Sequence, residues 1–278
     1  MTTLVTGARG SVGRHVVAGL HDRGERVRAL TRTPDEIDVP DGVEVVAGDL
    51  LSPETLRPAL DGVDRLYLFP VAQTADEVVK LAVDAGVRRI VVLSSDSLET
   101  RLETNRASTE EHGTVERAVE AAGVEWTFLR PFAFAGNALF WSHTIVHEGV
   151  VRAAYPHAAQ SLVHERDIAD VAVTALLDDG HVGAKYRLTG PESLTQLEQV
   201  RILGEAIGRP IRFEELTHQE KYDELAQFIE PGDVEMILGY FAVATEKPDV
   251  VLPTVQQVTG RPARSFAQWS ADHAADFG

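Results

Sequence analysis

Cysteine is absent from the 278-residue chain. That absence removes disulfides, thiolate metal sites, thiol nucleophiles and cysteine redox switches together. Lysine is nearly missing too, occurring only at Lys80, Lys185, Lys221 and Lys247 beside many arginines, alanines and valines, the bias of a GC-rich bacterial genome. Nowhere do about 18 apolar residues run together, and the N-terminus leads into a strand with no basic segment and apolar stretch before it. A cytoplasmic protein is expected. Basic residues are outnumbered, 26 against 43 acidic, for a formal charge of −17. Such a surface repels nucleic-acid phosphates and anionic lipid, so neither is expected as a partner. What is present is a 44% hydrophobic content, enough for a core, in a length that suits one α/β unit with an appended lobe.

Short apolar runs at Thr3–Thr6, Val27–Thr31, Val43–Val46, Arg65–Phe69, Arg89–Ser94 and Trp126–Leu129 read as strands. Their continuous apolar character fits strands covered on both faces, as in a parallel sheet. Helical spacing appears between them at Ser11–Arg23, Pro53–Leu60, Ala75–Ala85 and Ser108–Ala122. This alternation predicts an α/β fold with a doubly wound parallel sheet. After Pro131 the chain turns aromatic and irregular, and its last part reads as mainly helical. The division expected is residues 1–131 as the domain built on this sheet and 132–278 as a smaller lobe. Roughly 163–190 should return to the sheet.

The first strand runs into TGARGSVG, with glycines at Gly7, Gly10 and Gly13. The first permits a sharp strand-to-helix turn, the second lets a pyrophosphate approach the backbone, and the third lets helix pack on strand. The free N–H groups of the first helical turn then face an anion. No Gly-Lys-Ser/Thr follows, which argues against a P-loop hydrolase. Where an NAD-selective site would carry an acid after the second strand, VRALTRTP places Arg32, with Arg9 in the loop as a second cation. Both favour the 2′-phosphate of NADP(H); a solvated arginine at a strand end is the plain alternative for Arg32. Asp49 in AGDLLSP either accepts from the adenine amino group, with Leu50 over the ring, or is a turn residue. Phe69 and Pro70 end the fourth strand at the edge where ligands bind in such folds.

TGARGSVG, GDLLSP, VVLSS, VEWTFLRPFAFAGN and LTGPESLTQLEQVRILGEAIGRPI together resemble the atypical short-chain dehydrogenases/reductases of the NmrA-like, NAD(P)H:quinone-reductase-like group. The resemblance implies an extended Rossmann fold, NADP(H) as cofactor, and a small, mainly helical C-terminal lobe closing a substrate cleft. It places cofactor contacts on Gly7, Arg9, Gly10, Ser11, Val12, Gly13, Arg32, Asp49, Leu50, Phe69, Pro70, Ser94 and Pro131. The chain departs from the wider superfamily in its chemistry. None of its tyrosines has a lysine four residues on, and His112 and Glu116 stand where the Tyr-x-x-x-Lys pair would.

His112 is either a proton relay to a reduced oxygen or one half of a solvated His-x-x-x-Glu pair. Ser95, like Ser94, either bonds a substrate oxygen or caps the next turn. Phe132, Phe134, Asn137 and Trp141 either hold a flat aromatic small molecule or pack the lobes together. His143 and His147 have i,i+4 spacing but no evident third ligand, so no metal is expected. Asp167 reads as a residue that caps or begins its helix. The leading expectation is an NADPH-dependent reductase of a quinone, enone, imine or carbonyl compound. A non-catalytic NADP(H) sensor and a biosynthetic isomerase or cyclase on the same fold are the alternatives, and a homodimer is left open.

Overall fold

The computed structural model describes residues 1–100 and 105–278. In chain order, β1 (Thr2–Val5), α1 (Gly13–Asp22), β2 (Arg26–Thr31), β3 (Glu44–Ala47), α2 (Arg57–Leu60), β4 (Arg65–Leu68), α3 (Ala75–Asp84) and β5 (Arg89–Leu93) alternate as expected. The short α4 (Ser97–Thr100) and the long α5 (Arg106–Ala121) then lead to β6 (Glu125–Pro131). The expected helix over Pro53–Leu60 is instead a 3₁₀ turn, Pro53–Leu56, followed by the four-residue α2. Pro58 has no N–H to give the carbonyl four residues back, so one continuous helix cannot form there.

Beyond β6 come a 3₁₀ segment (Ala135–Trp141), α6 (Ser142–Glu148), β7 (Val150–Ala153), β8 (Ala159–Gln160), α7 (Glu165–Leu177) and β9 (Ala184–Leu188). The chain ends with β10 (Leu194–Thr195), α8 (Gln196–Ala206), β11 (Arg212–Glu215), α9 (His218–Leu225), α10 (Pro231–Glu246), α11 (Thr254–Thr259) and α12 (Phe266–Asp272). Three of these helices begin where the sequence spells a reciprocal cap: Thr195 with Glu198, Thr217 with Glu220, and Ser265 with Gln268.

Seven parallel strands form one sheet in the order β3-β2-β1-β4-β5-β6-β9. Along β5, Ile90 and Val92 enter one core while Val91 and Leu93 enter the other. Strand side chains alternate between faces, and both faces are covered, so the run is apolar throughout. Taking the core of Val91 and Leu93 as the first and that of Ile90 and Val92 as the second, Val16, Val17 and Leu20 of α1 share the first with Ile168, Ala172 and Leu176 of α7. Val78, Val79, Val115 and Val119 of α3 and α5 share the second. Thus α7 and β9 belong to the sheet although they follow the first part of the lobe. The lobe has its own core around Ile145, Val151, Leu203, Phe266, Trp269 and Phe277. No helix among the described residues is long and apolar enough to cross a membrane.

His164, not Asp167, caps α7: its Nδ1 accepts from the Arg166 N–H at 3.1 Å. Asp167, 1% exposed, takes the Arg264 N–H at 2.7 Å and the Arg264 guanidinium, tying the C-terminal segment to α7. The shallow hollow of about 320 Å³ beside it is lined by Asp170, Arg261 and Arg264, charges that pair with one another.

Candidate active site

The strand order reverses at β1, whose C-terminal end is where a doubly wound sheet opens a crevice. Thr6 ties that end to β4, its hydroxyl donating to the Tyr67 carbonyl at 3.0 Å and accepting from the Phe69 N–H at 2.7 Å. Gly7 follows with φ +60°, and a β-carbon there would come within 3.1 Å of the Phe69 side chain. At Gly13 a β-carbon would lie 2.1 Å from the Gly7 carbonyl oxygen, so only glycine fits. The Gly10 N–H donates to the same oxygen at 2.9 Å, closing the loop on itself. No side chain caps α1 at Val12. The Arg14 N–H donates to the Gly10 carbonyl at 3.2 Å and the His15 N–H to the Val12 carbonyl at 2.9 Å, so the N–H groups left for an anion are those just before them, at Ser11, Val12 and Gly13.

A cleft of about 760 Å³ lies over this loop, lined by Gly7, Arg9, Gly10, Thr31, Arg32, Thr33, Gly48, Asp49, Leu50, Leu51 and Phe69. Arg9 bonds the Thr33 hydroxyl and, at 2.9 Å, Glu36 Oε2. Arg32 is exposed and has no ion-pair partner among the described residues. Ser11 is exposed on the loop, while Val12 and Gly13 are buried beneath it. Asp49 Oδ1 accepts from the Leu51 N–H at 3.0 Å, an Asx turn. That turn sends Leu50 inward to 8% exposure and leaves Leu51 56% exposed, facing the cleft.

A second cleft of about 580 Å³ continues from the first across the shared residues Leu51, Phe69 and Val71. Pro70, Gln73, Ser94, Ser95, Glu111, His112, Pro131, Phe132 and Phe134 complete its walls. Asn137 is exposed and Trp141 packs against the lobe core, so neither is among these lining residues. Phe132 is held from behind by Arg187, whose guanidinium lies 5.1 Å from the ring centroid. Arg187 is fixed in turn by two bonds, of 2.6 and 3.0 Å, to the buried Asp96 carboxylate.

The two serines at the end of β5 are chemically unlike. Ser94 Oγ donates its hydrogen to Glu116 Oε1 at 2.6 Å. Toward the cleft it therefore offers only lone pairs. Ser95 Oγ accepts from the Ser97 N–H at 3.2 Å and caps α4, which leaves its own hydrogen free to donate. Glu116 is 4% exposed and is not the solvated partner of a helix-surface pair. Its oxygens take Arg130 Nε at 2.9 Å and Nη2 at 2.5 Å, and Arg130 also pairs with Glu99. His112 Nδ1 is thus left buried without a hydrogen-bond partner among the described residues. Burial holds the His112 pKa below its ordinary value, against a smaller opposing pull from Glu116. The imidazole is neutral at physiological pH.

Sequence reasoning missed Thr33, Leu51, Val71, Gln73 and Glu111. The Asp49 Asx turn was the available signal for Leu51, since it fixes which leucine faces outward. The His143 and His147 ring centroids are 4.6 Å apart, and no cluster of three candidate metal ligands occurs among the described residues.

The loop that excludes a β-carbon, the uncapped helix and the two arginines fit a dinucleotide, and similarity to known proteins agrees. Residues 7–179 match the NAD(P)H-binding family. A (4-alkanoyl-5-oxo-2,5-dihydrofuran-3-yl)methyl phosphate reductase of Streptomyces griseus is 41% identical over 99% of this chain and 98% of its own. An NAD(P)H azoreductase of Xenophilus azovorans is 32% identical over 99% of each. An NADPH-dependent quinone oxidoreductase of Escherichia coli, solved with NADPH, superposes with a TM-score of 0.80 at 21% identity over 98% of this chain and 99% of its own. The chain belongs to the NAD(P)H-binding family and is an NAD(P)H-dependent oxidoreductase.

Proposed function

We propose that the chain uses NADPH to reduce an electron-poor double bond conjugated to a carbonyl, as in an unsaturated lactone, an enone or a quinone. The observation that carries this is the make-up of the second cleft. Phe69, Pro131, Phe132 and Phe134 form a largely apolar enclosure whose candidate proton-bearing groups are a serine hydroxyl, Ser95, and a neutral imidazole, His112. No lysine is among its lining residues, and no tyrosine in the chain has the Tyr-x-x-x-Lys spacing. Reduction of a plain ketone creates an alkoxide, which needs a strong acid poised beside it. Conjugate reduction creates an enolate or hydroquinone anion, a much weaker base, which neutral hydrogen-bond donors can stabilise while water supplies the proton.

NADPH, held by the glycine loop and the arginines, would supply a hydride to the carbon β to the carbonyl. Ser94, acceptor-only toward the cleft, suits the carboxamide N–H₂ of a nicotinamide; Ser95 and His112 suit the substrate oxygen. Arg187 and Asp96 keep the Phe132 ring fixed as a platform for a flat substrate. The likeness to a reductase named for an oxo-dihydrofuran carrying an alkanoyl group supports this class, and the name of the azoreductase relative supports an electron-poor acceptor more broadly. The test is loss of NADPH absorbance with an acyl-substituted unsaturated lactone, a naphthoquinone and a saturated ketone. Oxidation with the first two and not the third is expected. Turnover of the saturated ketone alone, or of none, would refute the proposal.

A further inference from the structure

We propose that Glu36 tunes the choice between NADP(H) and NAD(H), acting as a built-in counter-ion of Arg9 that a 2′-phosphate has to displace. This deepens the cofactor part of the reading above and rests on it.

Arg9 and Arg32 line the same end of the cleft in different electrostatic states. Arg32 is uncommitted, whereas the Arg9 guanidinium reaches across from the glycine loop to the Thr33 hydroxyl and to Glu36 Oε2 at 2.9 Å. Glu36 is held there by the 3₁₀ turn Pro34–Glu36, in which Pro34 fixes the first position and the Glu36 N–H donates to the Thr33 carbonyl at 3.1 Å. The pair is open to solvent, with side chains 47% and 63% exposed. Exposed ion pairs are individually weak, so this one can open. A phosphate monoester carries nearly two negative charges and competes for Arg9 better than one carboxylate does. A ribose hydroxyl cannot compete. With NAD(H), Arg9 stays on Glu36 and the pair merely borders the ribose; with NADP(H), the phosphate must first break the Arg9–Glu36 bond, and that exchange lowers its affinity. Glu36 thus lowers selectivity for the phosphorylated cofactor without contributing to the other.

Calorimetric titration of the full chain with adenosine 2′,5′-bisphosphate and with 5′-AMP isolates the effect, because neither ligand has a reacting part. An exposed ion pair that the ligand has to break lowers affinity by about two- to fivefold at low salt. Glu36→Gln should therefore tighten the bisphosphate by about that factor and leave 5′-AMP within about twofold. In an Arg9→Ala background the gain should vanish, since Glu36 acts through Arg9. Asp35→Asn removes the same charge one residue away and should not reproduce the gain. An unchanged bisphosphate-to-AMP ratio in Glu36→Gln overturns the proposal. So does an equal gain in Asp35→Asn, or one that persists without Arg9. All three results leave the substrate reading to its own turnover assay.

Discussion

At His112, burial and charge pull in opposite directions. Burial lowers the pKa, the nearby Glu116 raises it, and burial wins. In the role proposed for it the ring is therefore neutral, able to orient or stabilise an oxygen by hydrogen bonding but poor as an acid. His112→Ala should lower kcat for the lactone or quinone by about tenfold or more, toward the lower part of the range for a positioned proton-handling group. NADPH affinity should be unchanged. Because the folded pKa lies below the ordinary histidine value, the kcat profile of the native chain should stay flat from pH 8 down through about 6.5. An inflection at that pH which disappears in His112→Ala would show the ring titrating as an acid, against this account. The same residue shows what one sequence can reveal: its place on the helix after strand five was legible from spacing. Its lack of a partner was not, because that depends on where Glu116 turns.

Helix α5 and strand β6 are pinned together by a contact between residues 14 apart in sequence, Glu116 and Arg130, both nearly fully buried. Nothing local in either element announces it. Helical spacing set Glu116 one turn after His112, and only the packing of α5 across the sheet shows that its carboxylate faces inward. Removing one partner of a buried ion pair leaves the other charge uncompensated, at a cost of about 3–5 kcal/mol. Glu116→Ala should lose about that much in urea unfolding, and it also frees the Ser94 hydrogen. A loss below about 1 kcal/mol, the usual worth of a surface pair, would contradict this burial. Elements with local causes are legible in the sequence: the glycine loop and the strands with apolar residues on both faces. Leu51 was missed because one bond, from its N–H to the Asp49 carboxylate, decides which of two adjacent leucines is left exposed. The helix expected over Pro53–Leu60 failed because the apolar pattern was weighed above Pro58.

Across the whole molecule, a formal charge of −17 opposes the approach of an anionic dinucleotide. Salt screens that field over about 8–10 Å at physiological ionic strength, so the local amides of the glycine loop and the guanidinium groups decide binding. Seven parallel strands set this loop, the ends of β2, β3, β4 and β5, and the segment after Pro131 along one edge. Two clefts meet at Phe69, and on the reading proposed above one takes the adenosine end and the other the reacting end of a single cofactor. The division of labour claimed is that the sheet edge binds and orients while the lobe side shapes the substrate space. Its most direct test is calorimetric titration with NADPH of the native chain and of Arg32→Ala. One site is predicted, weakened by about 10- to 100-fold when the guanidinium is removed, the equivalent of one charge-assisted hydrogen bond. Absence of heat at millimolar NADPH, or an Arg32→Ala affinity equal to that of the native chain, would contradict it.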